Sequence, residues 1–222
     1  MPAVRGLEPG NRAALVVNEM QNAIANPAYI GTPLAAQVTE RRVVARINTL
    51  AAAFRAAGAP VIFTVIAARR ADFEGFLVNC ALAAGIRRKG HLVTGTATAA
   101  VHDDLIVEPT DIISHRSHGM APFTGTTLDA TLRGYGTDTV VLSGVSTNIA
   151  LPGAATEAVA LGYSVVLAED CTAGATAQTH QMQITMHLPM LATVIDSESI
   201  IASLRAQLAA GATTGNKVRE DA

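Results

Sequence analysis

Three short segments carry residue types that chemistry needs. The first is Asn18-Glu19-Met20-Gln21, which follows the apolar run Ala13 to Val17. A carboxylate at the end of an apolar strand stands where water is scarce. Desolvation raises its pKa, and a nearby cation lowers it again. Such a group serves as general acid or base near neutral pH, unless it only caps a turn or forms a salt bridge at the rim. The second segment is His115-Arg116-Ser117-His118, after the apolar pair Ile112-Ile113. Two histidines and an arginine at a strand's end suit an anion or oxyanion site, with Arg116 as electrostatic partner and His118 as proton carrier. The plainer alternative is a loop whose charges face solvent. The third is Gly144-Val145-Ser146-Thr147-Asn148-Ile149-Ala150-Leu151-Pro152. Pro152 belongs in the first turn of a helix, where its missing N–H costs little. The residues before it then present free N–H groups to developing negative charge, reinforced by the helix dipole.

The elements that would position these segments follow from alternating short apolar runs and longer helical patterns. Strands are expected at 13–17, 61–65, 112–114, 139–143, 164–168 and 191–195, all rich in Val, Ile, Leu or Ala. Helices are expected at 36–57, about 150–161, 177–188 and 197–208. Thr126-Thr127-Leu128-Asp129 has the form of a capping box opening a further helix, with an Asp129–Arg133 pair one turn apart. Residues 66–108 read as an irregular excursion along one edge of the cleft. Residues 210–222 read as a polar tail. Strands separated by helices, with strands apolar throughout, imply a parallel sheet between two helical layers. In such sheets ligands bind beyond the carboxyl ends of the strands, which directs attention to the three segments above and to 66–74 and 169–174.

Composition narrows the class. The 222 residues suit one large α/β domain, 1–222, without an internal repeat or a linker. Half are apolar and 15% are charged, which leaves uncharged surface for subunit contacts. A net charge of −2 and only short basic clusters, such as Arg87-Arg88-Lys89, argue against nucleic-acid binding. That cluster reads as a solvated loop. The N-terminus lacks the apolar core of a signal peptide. The least charged stretches, 139–156 and 171–195, are broken by Gly, Pro, Asn, Gln and His, so no membrane span is expected. The two cysteines, Cys80 and Cys171, form neither a disulfide framework nor a metal spacing, which fits reduced thiols in a cytoplasmic protein.

Taken together, the motifs resemble the isochorismatase-like (cysteine hydrolase) superfamily from about Ala13 to Leu208. The carrying residues are Val-Val-Asn-Glu-Met-Gln-Asn at 16–22, Phe-Thr-Gly-Thr-Thr-Leu-Asp-Ala-Thr-Leu-Arg from Phe123 to Arg133, Gly144-Val145 with Thr147-Asn148, and Gly162-Tyr163. The resemblance implies a Rossmann-like, six-stranded parallel sheet in a three-layer α/β/α sandwich. It implies a hydrolase acting on a small molecule, commonly assembled as a homodimer or homotetramer. It places the substrate among Gln21, Phe123, Val145, Ser146, Ile149 and Ala150, and it implies a cis peptide at Val145-Ser146.

Three departures change the expected chemistry. Ala150 stands where the resemblance places the nucleophilic cysteine, and alanine cannot form a thioester. Glu19 replaces the usual Asp. The usual lysine is missing, with Arg116 its nearest replacement and His118 the rival. The expected catalytic set is therefore Glu19, Arg116 and His118, hydrolysing an enol ether, amide or imine bond without a thiol. The alternatives are an inactive small-molecule binder of the same fold, or a thiol hydrolase rebuilt around Cys80. Residues 67–74 contain no histidine, so neither a metal nor another cofactor is expected. Arg69 and Arg70 are placed either against an acidic substrate or as solvated rim charges.

Overall fold

The computed structural model describes residues 4–220, with side chains described as far as residue 209. Strands β1 (Ala13–Asn18), β2 (Val61–Ile66), β3 (Ile112–Arg116), β4 (Thr139–Val145), β5 (Ser164–Ala173) and β6 (Thr193–Ile195) form one sheet. Its order is β3-β2-β1-β4-β5-β6, and every pairing is parallel. The expected α/β architecture is therefore present. The order reverses between β1 and β4, which opens a crevice at their carboxyl ends.

Period-two alternation along β1 divides the core between two layers. Leu15 and Val17 face Ile47, Leu50 and Phe54 of helix α3 (Val43–Ala56) and Ile200 and Leu204 of helix α8 (Ser197–Glu220). Ala14 and Val16 face Leu128 and Leu132 of helix α5 (Leu128–Gly134) and Leu151, Ala154 and Ala158 of helix α6 (Ala150–Ala160). A third apolar cluster, including Ile66, Phe73, Phe76 and Leu92, lies under the excursion.

Several elements differ from the sequence-based expectation. The single helix expected over 36–57 is two, α2 (Pro33–Glu40) and α3, separated by Arg42 in the left-handed region at φ 54°. The break turns Arg41 toward β5, where its guanidinium donates to the Thr172 carbonyl at 2.9 Å. The excursion contains a helix, α4 (Ala81–Lys89), so Arg87-Arg88-Lys89 closes a helix instead of lying in a loop. The capping box is not formed. Thr127 caps α5 without a side-chain bond, and Asp129 accepts from the Tyr163 hydroxyl at 2.7 Å. Strand β3 continues two residues beyond expectation and so includes Arg116 itself. The helix expected over 177–188 is a short α7 (Ala177–Met182), whose end widens into a π turn over 183–187. The last helix, expected to end at 208, continues as α8 to Glu220 through most of the segment read as a polar tail, whose side chains lie outside the described residues. One four-residue helix, α1 (Asn22–Ala25), follows β1 directly.

Candidate functional site

A cleft of about 510 Å³ opens at the carboxyl ends of β1 and β4, as the sheet order requires. Its floor is Glu19, Ser146, Asn148, Ile149 and Ala150. Met120 closes one side, and α1 and the segment leading into α2 close another. The wall facing solvent is α4, which presents Ala81, Leu82, Gly85 and Ile86 to the cleft.

Glu19 follows β1 immediately and adopts φ 50°, a conformation non-glycine residues seldom take and which clusters at functional sites. Its N–H donates to the Thr64 carbonyl of β2 at 2.9 Å, which fixes the turn. The carboxylate forms an ion pair with Arg116, whose side chain is only 2% exposed against 14% for Glu19. β3 and β1 are separated by β2, so the long arginine side chain spans that strand to reach the acid. Among the described residues, no nitrogen of the guanidinium makes an aligned hydrogen bond, and its contact with Glu19 is an ion pair. Burial pushes Arg116 down to about 10, partly offset by the charge of Glu157, so it stays cationic at neutral pH. A buried cation beside Glu19 favours the ionised carboxylate.

The turn from β4 into α6 supplies the rest of the floor. The Val145-Ser146 peptide is cis. Asn18, wholly buried, holds this turn by donating to the Val145 carbonyl at 2.7 Å while accepting from the Thr64 hydroxyl at 2.8 Å. The Ser146 carbonyl accepts from the N–H groups of Ile149 and Leu151. Among the described residues, the N–H groups of Asn148 and Ala150 find no acceptor, and both residues line the cleft. They stand at the start of α6, where the helix dipole favours negative charge.

A buried chain of polar groups braces the turn from behind. Thr147 Oγ1 lies 3.2 Å from His180 Nδ1, and His180 Nε2 lies 3.0 Å from Glu169 Oε1. Arg41 closes the chain with Glu169 at 2.5 Å. The His180 hydrogen bond and the Arg41 charge hold the Glu169 carboxyl at about 2, against an opposing effect of burial. An ionised Glu169 only accepts, so His180 donates through Nε2 and, when neutral, accepts from the Thr147 hydroxyl at Nδ1.

Not every residue anticipated from the sequence meets the cleft. Glu19, Ser146, Ile149 and Ala150 line it, with Arg116 directly behind Glu19. Val145 is buried below the floor. Gln21 is wholly buried and spends its amide on backbone, donating to the carbonyls of Ile66 and Ala99 and accepting from the Ile66 N–H. Phe123 packs in the core against Tyr163, with ring centroids 6.1 Å apart. Arg70 is exposed and paired with Asp72 and Glu74, outside the cleft. His118 lies against Gly125 and does not line the cleft. Cys80 is exposed at the start of α4, outside the lining, and Cys171 is buried where desolvation pushes its thiol far up. Arg88 and Lys89, read from the sequence as part of a solvated loop, instead line the mouth from helix α4, and His91 joins them there. Asn148 had been visible in the motif but carried no assigned role. Among the described residues, no three His, Cys, Asp or Glu side chains converge as a metal would require.

Comparison with known proteins gives the family and the fold. Residues 13–199 match the family model described as the isochorismatase domain. The chain is 34% identical over 194 residues to the uncharacterized isochorismatase family protein YecD of Escherichia coli O157:H7, covering 86% of this chain and 95% of that protein. Its fold is similar to that of an isochorismatase family protein from Desulfovibrio vulgaris, with TM-score 0.75, 26% identity and coverage of 88% and 100%. It is also similar to N-carbamoylsarcosine amidase from Thermoplasma acidophilum, with TM-score 0.66, 27% identity and coverage of 84% and 96%. The cleft at the strand ends, the acid at the end of β1 and the cis turn into α6 thus occur in a chain that belongs to the isochorismatase domain family.

Proposed function

We propose that this member of a hydrolase family cleaves a small molecule by general acid–base catalysis from Glu19, without a covalent enzyme intermediate. The observation that carries the reading is the position of Glu19, at the floor of the cleft and ion-paired with buried Arg116. Ala150, at the position the resemblance gives to a nucleophilic cysteine, leaves water as the nucleophile. The amidase among the similar structures favours an amide as the labile bond. Glu19 takes a proton from water as its oxygen adds to the carbonyl carbon. The oxyanion that forms accepts from the N–H groups of Asn148 and Ala150. Collapse breaks the C–N bond, and Glu19 returns the proton to the leaving nitrogen. Arg116 keeps Glu19 ionised between turnovers and acts through it.

The test is a panel of small amides, enol ethers and imines, followed by Glu19→Gln on whichever is turned over. The expected loss in kcat is about 10²–10⁴-fold, the usual contribution of a general base, with the fold intact by circular dichroism. Complete alkylation of Cys80 leaves turnover unchanged. Undiminished activity in Glu19→Gln, or inactivation by alkylation, overturns the mechanism. A tight ligand that is never converted identifies a binding protein instead.

A further inference from the structure

The cleft is polar at two ends and apolar between them. At the floor stand Glu19, Ser146 and Asn148; at the mouth stand Arg88, Lys89 and His91. The walls between are Ile24, Leu34, Leu82, Ile86, Leu92 and Ile149. Arg88 and Lys89 arrive there because α4 turns one face to the cleft along its whole length: Ala81-Leu82, then Gly85-Ile86, then Arg88-Lys89, about one turn apart. Among the described residues neither cation has an acidic partner, unlike Arg41, Arg46, Arg55 and Arg70, each of which is paired. Two unneutralised cations on the rim of an apolar cleft attract an anion that also carries apolar surface.

We propose that the molecule processed here is elongated and largely apolar, and ends in a carboxylate held by Arg88 and Lys89. Its labile bond then lies over Glu19 at the opposite end. Which end reacts rests on the function proposed above; the preference for an anionic tail does not. A carboxylate fits better than a phosphate ester. The cations occupy the last turn of α4, where the helix presents its negative pole, and a second negative charge would be opposed there. The free N–H groups at the start of α4, of the kind that phosphates use, lie about two turns away from these cations.

Binding is measurable without turnover. Calorimetry on the full chain would compare 4-phenylbutyrate, 4-phenylbutanol, 4-phenylbutylamine and 4-phenylbutyl phosphate. The acid is expected to bind about tenfold tighter than the alcohol, with the amine weakest and the difference shrinking as salt rises. The double variant Arg88→Ala/Lys89→Ala lowers the acid to the affinity of the alcohol. Arg87→Ala, on the same turn but off the cleft, leaves it unchanged. In Glu19→Gln the acid-over-alcohol preference persists, so failure of the hydrolytic mechanism is distinguishable from failure of this proposal. Equal binding of acid and alcohol, or a preference that survives the double variant, overturns it. Stronger binding of the phosphate overturns the carboxylate assignment.

Discussion

At the scale of single residues, a carboxylate inside a cleft is paired with a buried cation. Removing that cation leaves Glu19 partly buried without compensation. Arg116→Met is expected to raise the Glu19 pKa and move the acid limb of the pH–rate profile upward, since burial then acts unopposed. It should also destabilise by roughly 2 kcal/mol, less than a fully buried pair loses because Glu19 keeps some water. The double variant Glu19→Gln/Arg116→Met should recover much of that loss in a denaturant titration; an additive loss would refute the pairing. This acid–cation partnership was legible in the sequence because both residues directly follow or end apolar strands. His118, equally polar and two residues farther on, falls on a loop that folds against Gly125. Gln21 was legible as polar but not as spent on backbone, since its bonds reach Ile66 and Ala99, distant in sequence.

At the scale of elements, two backbone positions determine how the site is framed. Gly144 has φ +91°, and a Cβ there would stand 2.3 Å from the Asn18 carbonyl oxygen. Gly144→Ala must therefore push β4 away from β1 at the floor. A loss of at least about 3 kcal/mol is expected, with little soluble protein. Gly31→Ala meets nothing within 4 Å and should express normally. Arg42, exposed at φ 54°, is the opposite case. Arg42→Gly relieves the left-handed strain and should raise the melting temperature by about 1–3 °C. A decrease would show that the side chain matters more than the backbone. The same two features explain what the sequence hid. No Gly or Pro marks the break between α2 and α3, so an unbroken apolar stripe concealed it. Helix α4 was hidden because only Ala83 of it is buried in a core, while Leu82 and Ile86 line the cleft, so core burial marks little of its periodicity. The six strands were legible because burial on both faces makes each an apolar run.

At the scale of the whole molecule, the polar chain behind the turn links α2, β4, β5 and α7 to the floor of the cleft. Glu169 is held at about 2, below its ordinary 4.5. Its contribution is therefore complete above pH 4.5 and lost as pH falls toward 2. Discounted for its partial exposure, the contribution is on the order of 1 kcal/mol. Glu169→Gln should flatten that part of the stability–pH curve, read by thermal melts between those pH values. An unchanged curve would place the acid sensitivity elsewhere. No helix among the described residues is long and apolar enough to cross a membrane.

The thin attachment of α4 has a consequence for how anything enters. Of its nine residues only Ala83 is fully buried, whereas every residue of β1 and β4 is. Free energy of local opening follows buried contact, so this segment should detach long before the sheet yields. Deuterium should replace the amide protons of 81–89 orders of magnitude sooner than those of 13–18, and an occupant seated against the helix should slow that replacement. Passage to and from the interior would then proceed by brief loss of a wall, with the scaffold at rest.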